Sequence, residues 1–308
     1  MTNTITTPPQ PLAGAFTAMV TPFRNDEVDV HALRRMTEFQ IEQGISGLVP
    51  CGTTGESVTL SDREHDLVIE SVLSATAGRA PVIAGTGSND TRRTIERTRH
   101  AREAGAAAAL VVIPYYNKPT QEGMIRHFTS IADAVDLPLV LYNVPGRTGV
   151  NMTSGTALQL SLHPNIVAIK EASGNLDQIS EIAAGSPDGF SVLSGDDSLT
   201  LPVISVGGRG VISVTSNIAP RAVSDLVTTS LRGDLATARA QHQTLLGLNR
   251  AMFLDNNPTA VKTAAALLGF CSADLRSPQT AMSPANRNLL RSAMIDFGFD
   301  LATAMAAD

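Results

Sequence analysis

The chain has 308 residues, 43% of them hydrophobic and 17% charged, which fits a globular protein with one large α/β domain or two smaller ones. A formal net charge of −6 without a dense Lys/Arg run argues against nucleic acid or an anionic membrane surface as partner, so an anionic substrate needs local cations. Two cysteines far apart, Cys51 and Cys271, speak against a disulfide framework and fit a reducing cytoplasm, and no apolar run reaches the length of a membrane span.

In chain order, residues 1–12 are polar and rich in Thr and Pro, with neither a basic n-region nor an apolar h-region, and read as a short flexible arm. Strands are predicted over 14–22, 47–52, 81–87, 107–115, 137–143, 166–170, 190–195 and 210–215. They are almost continuously apolar and rich in β-branched residues, as parallel strands covered on both faces must be. Between them lie amphipathic helices. Leu33, Met36 and Phe39 share a face in a helix stopped by Gly44; Leu67, Val68, Val72 and Leu73 do so before Gly78, and Ile95 and Ala101 before Gly105. Eight strands alternating with helices predict an α/β fold, a closed (β/α)8 TIM barrel over 13–225. From about residue 223 to 307 only helical periodicity remains, broken near Gly233, Asn256-Asn257-Pro258 and Ser283-Pro284. This predicts a C-terminal all-helical extension over 226–308.

Barrels of this kind carry their chemistry at the C-terminal ends of the strands, and the unusual segments here fall at those ends. Lys170 closes the apolar run Ile166-Val167-Ala168-Ile169, where another aliphatic is expected. An amine in such surroundings loses hydration, which disfavours its charged form, and a neutral amine attacks carbonyl carbon to give a Schiff base. The plain alternative is a strand-end lysine that extends its amine to water. After the second strand, Cys51-Gly52-Thr53-Thr54-Gly55-Glu56-Ser57 reads either as a helix start, with Thr53 and Glu56 at capping-box spacing, or as a carboxylate cradle. In the cradle, backbone N–H groups approach at the glycines and two hydroxyls bind or relay protons. Cys51 itself reads as a small buried side chain.

Two of the three tyrosines, Tyr115 and Tyr116, adjoin at the end of the fourth strand, as a turn edge or as a phenol placed for proton transfer. The third, Tyr142, ends the fifth strand and precedes Val144-Pro145-Gly146-Arg147; here Tyr142 suits acid/base work and Arg147 a bidentate grip on a carboxylate. Asp196-Asp197 reads as helix capping rather than a metal site, and the six histidines form no ligand pair at helical spacing, which disfavours a zinc-dependent aldolase.

These segments, together with Phe16-Thr17-Ala18-Met19-Val20-Thr21-Pro22-Phe23 and Gly210-Val211-Ile212-Ser213-Val214, resemble the dihydrodipicolinate synthase (4-hydroxy-tetrahydrodipicolinate synthase) family. These are pyruvate-dependent class I aldolases of the superfamily that includes N-acetylneuraminate lyase, and the resemblance runs through essentially the whole chain. It implies that Lys170 forms a Schiff base with pyruvate and that the resulting enamine attacks L-aspartate-4-semialdehyde. Thr53, Tyr142 and Tyr116 match the family's proton relay, the Tyr116 hydroxyl coming from the neighbouring subunit. Thr54 matches the pyruvate-carboxylate contact, Arg147 the semialdehyde-carboxylate contact, and Gly195 and Ile212 shape the pocket. No cofactor or metal is implied, since the lysine is the electron sink, and the assembly implied is a cytoplasmic homotetramer, a dimer of dimers.

Lysine-inhibited members bind their effector near positions matching Ser57, Val58, Asp62, His65, Asn89, Arg93 and Tyr115. Arg93 stands where those members carry a glutamate and Asp62 where they carry a histidine, so the resemblance implies weak or absent feedback. Other departures lie in the C-terminal part, where Asn256-Asn257-Pro258-Thr259-Ala260 replaces a more proline-rich run and Ser277 a leucine; neither is expected to touch the chemistry. Two rivals remain open: a sister aldolase for a 2-keto-3-deoxy sugar acid, and a catalytically idle ligand-binding barrel.

Overall fold

The computed structural model describes residues 11–301, so most of the predicted arm over 1–12 and the end of the helical extension lie outside the described residues. The chain opens with β1 (Gly14–Ala18), followed by a hairpin of β2 (Phe23–Arg24) and β3 (Glu27–Val28). Asn25 and Asp26 turn the hairpin with φ of 53° and 66°, the left-handed conformations that a tight two-residue turn demands and that Asn and Asp tolerate best. Then come α1 (Val30–Glu42), β4 (Gly47–Val49), α2 (Asp62–Thr76), β5 (Ile83–Gly85), α3 (Thr91–Ala104), β6 (Ala108–Val112), α4 (Gln121–Ala134) and β7 (Leu139–Asn143). A single turn α5 (Pro145–Thr148) and α6 (Ser154–Ser161) lead to β8 (Ile166–Glu171), α7 (Leu176–Gly185), β9 (Ser191–Ser194), α8 (Thr200–Ser205) and β10 (Gly210–Ser213). Helices α9 (Pro220–Leu231), α10 (Leu235–Ala251), α11 (Thr259–Leu267) and α12 (Pro284–Phe297) follow.

Eight parallel strands run in the order β4-β1-β10-β9-β8-β7-β6-β5. The ring closes where Leu48 bridges Val82, with the Leu48 N–H donating to the Pro81 carbonyl at 3.0 Å and the Gly85 N–H to the Pro50 carbonyl at 2.9 Å. This is the expected (β/α)8 barrel. Alternation along the strands splits the apolar residues into two cores. Phe16, Val49, Ile83, Leu110, Val140 and Leu193 fill the barrel, while a larger core lies between strands and helices and continues among the C-terminal helices. Each such fully buried aliphatic or Phe contributes about 1.5–3 kcal/mol.

The strands are shorter than the apolar runs that predict them: 14–22 yields Gly14–Ala18, and 107–115 yields Ala108–Val112. Residues such as Val20 stay buried, but the backbone leaves the ladder; its N–H goes instead to Asn217 Oδ1 at 3.1 Å. In α2 the buried face uses Val68, Ile69 and Val72, and Leu67, predicted to share it, points to solvent. That helix starts at a capping box of its own, Ser61 with Glu64.

Candidate active site

Lys170 sits on β8, where register places it beside Tyr142 of β7 and Leu193 of β9. Ala168 belongs to the barrel interior, Ile169 to the outer core, so by alternation Lys170 points inward. The side chain is 5% exposed and its Nζ lies 4.3 Å from the centroid of the Tyr142 ring. Glu171, facing outward, is buried and satisfied: Asn143 Nδ2, Gln178 Nε2 and the Ser173 N–H all donate to its carboxylate at 2.7–3.2 Å. This clamp holds the ends of β7 and β8 together and so fixes the Tyr142–Lys170 pair. Gly195, on the next strand end, leaves the lysine its room. A Cβ there would lie 3.1 Å from Lys170 Cε and 2.6 Å from Ala172 Cβ.

The Gly-Thr-Thr-Gly-Glu segment is a chain of turns, not a helix start, which corrects the capping reading of Thr53 and Glu56. Instead of capping, Glu56 accepts from Lys262 Nζ at 2.6 Å and from the Arg276 N–H at 3.1 Å, both in the C-terminal part. Thr21 Oγ1 donates to the Gly55 carbonyl at 2.7 Å, so the loop is tied from two sides. Thr54 is buried, and its Oγ1 accepts from Asn257 Nδ2 at 3.0 Å. The segment around Asn257 therefore reaches the site, contrary to the expectation that its departure from the family pattern is remote from the chemistry.

A cavity of about 270 Å³ opens between this loop and the β7 end, lined by Thr53, Tyr115, Tyr142, Arg147 and Asn257 among others. Lys170 lies one side chain away, its amine against the Tyr142 ring that lines the cavity. Arg147 stands on α5 and donates from Nη2 to the Asn257 carbonyl at 3.4 Å. A wider groove, about 930 Å³, lies at the opposite end of the barrel near Glu70, His100 and Glu103, away from all of these groups. Ile212 is in the barrel interior on β10. Tyr116 is not gathered in: it is 89% exposed, with φ of 71°.

The remaining candidates flank the cavity or hold the frame. Ser57 and the exposed Val58 line the cavity with the half-buried Tyr115. Asp62 Oδ1 accepts from Arg93 Nη2 at 2.8 Å and Arg97 Nη2 at 2.9 Å, and these bonds pull its carboxyl down to about 2. His65 is fully buried with Nε2 2.8 Å from the Gly85 carbonyl, and burial lowers it to about 4. The Asn89 carbonyl accepts from Asn117 Nδ2 at 2.8 Å. Asp196 caps a short turn by accepting from the Ser198 N–H, whereas Asp197 is buried and accepts from Ser213 Oγ and from the N–H groups of Val214 and Thr215. Cys51 is buried, and desolvation raises its thiol well above the usual range.

Sequence reasoning passes over Glu56, Asn257 and Lys262 as site-supporting residues. Lys262 carries the same signal as Lys170, a cation inside an apolar run, here Ala260-Val261-Lys262-Thr263-Ala264.

Fold and site together define a (β/α)8-barrel enzyme whose mouth holds a buried amine. The chain belongs to the dihydrodipicolinate synthetase family, whose sequence model matches residues 11–295. It is 55% identical to the 4-hydroxy-tetrahydrodipicolinate synthase of Thermomicrobium roseum over 283 residues, 92% of this chain and 94% of that one. Its fold is similar to the dihydrodipicolinate synthase of Aquifex aeolicus, with a TM-score of 0.92, 47% identity and coverage of 93% and 98%. The enzyme from Cyanidioschyzon merolae, solved with lysine bound, matches with a TM-score of 0.91 at 41% identity, covering 93% and 98%.

Proposed function

We propose that this chain condenses pyruvate with L-aspartate-4-semialdehyde to give 4-hydroxy-tetrahydrodipicolinate, the reaction named for its relatives. The observation that carries the reading is a buried lysine amine packed on a tyrosine ring beside a cavity with an arginine at its rim. In this reading Lys170 Nζ attacks the pyruvate ketone carbon, water leaves, and an iminium forms. Loss of a methyl proton gives the enamine, whose carbon bonds to the aldehyde carbon while the aldehyde oxygen takes up a proton. The amino group of the second substrate then attacks the iminium carbon, closing the ring and releasing Lys170.

Each step moves a proton, which assigns Thr53, Tyr142 and the partner's phenol from the position of Tyr116 to a relay. Thr54 and nearby N–H groups hold the pyruvate carboxylate, and Arg147 holds that of the semialdehyde. Gly195 and Ile212 shape the floor. The site asks for no cofactor, because the protonated imine withdraws the electrons. We further assign the chain to a cytoplasmic homotetramer built as a dimer of dimers, with the barrel over 13–225 and the helical part over 226–308. No helix among the described residues is long and apolar enough to cross a membrane. Ser57, Val58, Asp62, His65, Asn89, Arg93 and Tyr115 mark the cleft where lysine-inhibited relatives hold their effector.

Borohydride reduction in the presence of pyruvate, followed by intact mass and peptide mapping, tests the reading. One reduced pyruvyl group per chain at Lys170, lost in Lys170→Ala, is the expected result; an adduct on another lysine, or none, overturns it. Turnover with the semialdehyde but not with a 2-keto-3-deoxy sugar acid separates the reading from a sister aldolase.

A further inference from the structure

We infer that Asn257 is a positioning residue that dictates where the Thr54 hydroxyl sends its proton. The inference deepens the reading above and rests on it. Asn257 arrives from the segment between α10 and α11, far from the barrel loops in sequence, and places Nδ2 3.0 Å from Thr54 Oγ1. A hydroxyl has one proton and two acceptor lone pairs. Thr54 is 2% exposed, so water does not compete freely for those positions. With one lone pair taken by the asparagine amide, the Thr54 proton is left for another acceptor, and the pyruvate carboxylate is the acceptor that the proposed chemistry brings.

The other end of the same side chain shows that packing does not account for it. Asn257 is 6% exposed, and its Oδ1 is buried without a hydrogen-bond partner among the described residues. An unpaired buried carbonyl destabilises the fold, and an aliphatic side chain of similar shape avoids that cost. A buried polar side chain that costs local stability at the edge of a cavity is the pattern of a functional site. Its donor, spent on Thr54, is the feature that an aliphatic replacement lacks. The backbone carbonyl of Asn257, by contrast, accepts from Arg147, so one segment of the helical extension touches both carboxylate-holding residues.

Two variants of nearly unchanged shape test this, read by the pyruvate concentration that half-saturates borohydride trapping and by thermal melting. Asn257→Leu is expected to melt no lower than wild type while half-saturation rises about tenfold, equivalent to about 1.4 kcal/mol. Asn257→Asp is expected to raise it at least as much, because a carboxylate there takes the Thr54 proton and repels the substrate anion. The maximal rate of trapping at saturating pyruvate should change far less than half-saturation in both. If Asn257→Asp binds pyruvate like wild type, the proton of Thr54 runs the other way and the inference fails. If Asn257→Leu melts lower with half-saturation unchanged, the residue is structural and the inference fails. A wild-type chain that traps no pyruvate overturns the proposed function itself, which the variants do not touch.

Discussion

Arg147 stands on a one-turn helix, and the hydrogen bond its side chain makes among the described residues, 3.4 Å to the Asn257 backbone carbonyl, is long. The rest of its five-donor fork is available to a carboxylate. A charge-assisted bond of that kind is worth about 1.5–3 kcal/mol, roughly 10- to 150-fold in affinity. Arg147→Ala should therefore raise KM for the semialdehyde by that order and leave KM for pyruvate nearly unchanged. Steady-state kinetics with each substrate varied in turn checks this, and equal effects on both would reduce Arg147 to a loop anchor. Arg93 poses the reverse question. It shares the Asp62 carboxylate with Arg97, so Asp62 is committed to two guanidiniums and the three groups keep a net positive charge. An ammonium brought here meets like charge, a repulsion that water partly screens because Arg93 and Asp62 are about half or more exposed. Lysine should inhibit weakly or not at all, and Arg93→Glu should shift the inhibition curve to lower lysine. Saturating inhibition of the unmodified chain at submillimolar lysine would refute the argument.

At the scale of elements, α11 acts as a wedge between the barrel mouth and the rest of the helical extension. It is buried almost throughout, yet it carries Lys262, which is fully buried and paired with the 3%-exposed Glu56 side chain at 2.6 Å. The ammonium also lies 4.0 Å from the centroid of the Phe23 ring, and desolvation lowers its pKa. Removing one member of a buried pair strands the other charge and costs about 3–5 kcal/mol, whereas removing both costs much less. In denaturant melts, Lys262→Met should lose stability of that order, and Lys262→Met with Glu56→Gln should recover a good part of it. If the double variant is as unstable as the sum of the singles, the two groups do not act as a pair. The same contact explains what a reader of the sequence sees and misses. Lys170, Tyr142 and Arg147 are legible because each breaks the apolar pattern at a strand end, where a barrel puts its chemistry. Asn257 and Lys262 are not, because their partners Thr54 and Glu56 lie 203 and 206 residues away and no local pattern encodes such contacts. Glu56 misleads outright: its spacing to Thr53 fits a cap, but its carboxylate takes the buried Lys262 ammonium and the Arg276 N–H, both from the distant C-terminal part. The β2–β3 hairpin escapes notice because two-residue strands carry too little periodicity to register.

For the whole molecule, burial of histidine sets the response to acid. His65 on α2 and His127 on α4 are both buried, and desolvation lowers each to about 4 from the usual 6.5. The folded chain thus keeps both neutral where the unfolded chain takes up protons. Their stability contribution is complete above pH 6.5 and falls as pH drops towards 4, by about 3 kcal/mol for each at pH 4. Asp62 and Glu64, each lowered to about 2 by arginine partners, lose their contribution in a separate window, from about 4.5 down to 2. Urea melts between pH 7 and 4 should show the first loss, and His127→Gln should flatten it; a flat wild-type profile would contradict the burial of both rings.

Assembly is the other property of the whole. Tyr116 holds a left-handed backbone that glycine and asparagine adopt more readily, and it turns a phenol out of its own chain. A strained backbone that turns an aromatic ring outward suits a group offered to a neighbour. If that neighbour is a second copy, mixing Tyr116→Phe chains with Lys170→Ala chains rebuilds one complete site per heterodimer, since the Lys170 of one chain then meets the Tyr116 of the other. Activity of verified heterodimers should exceed the mean of the two parents. Heterodimers that do no better than that mean would show that each chain supplies its own proton donor.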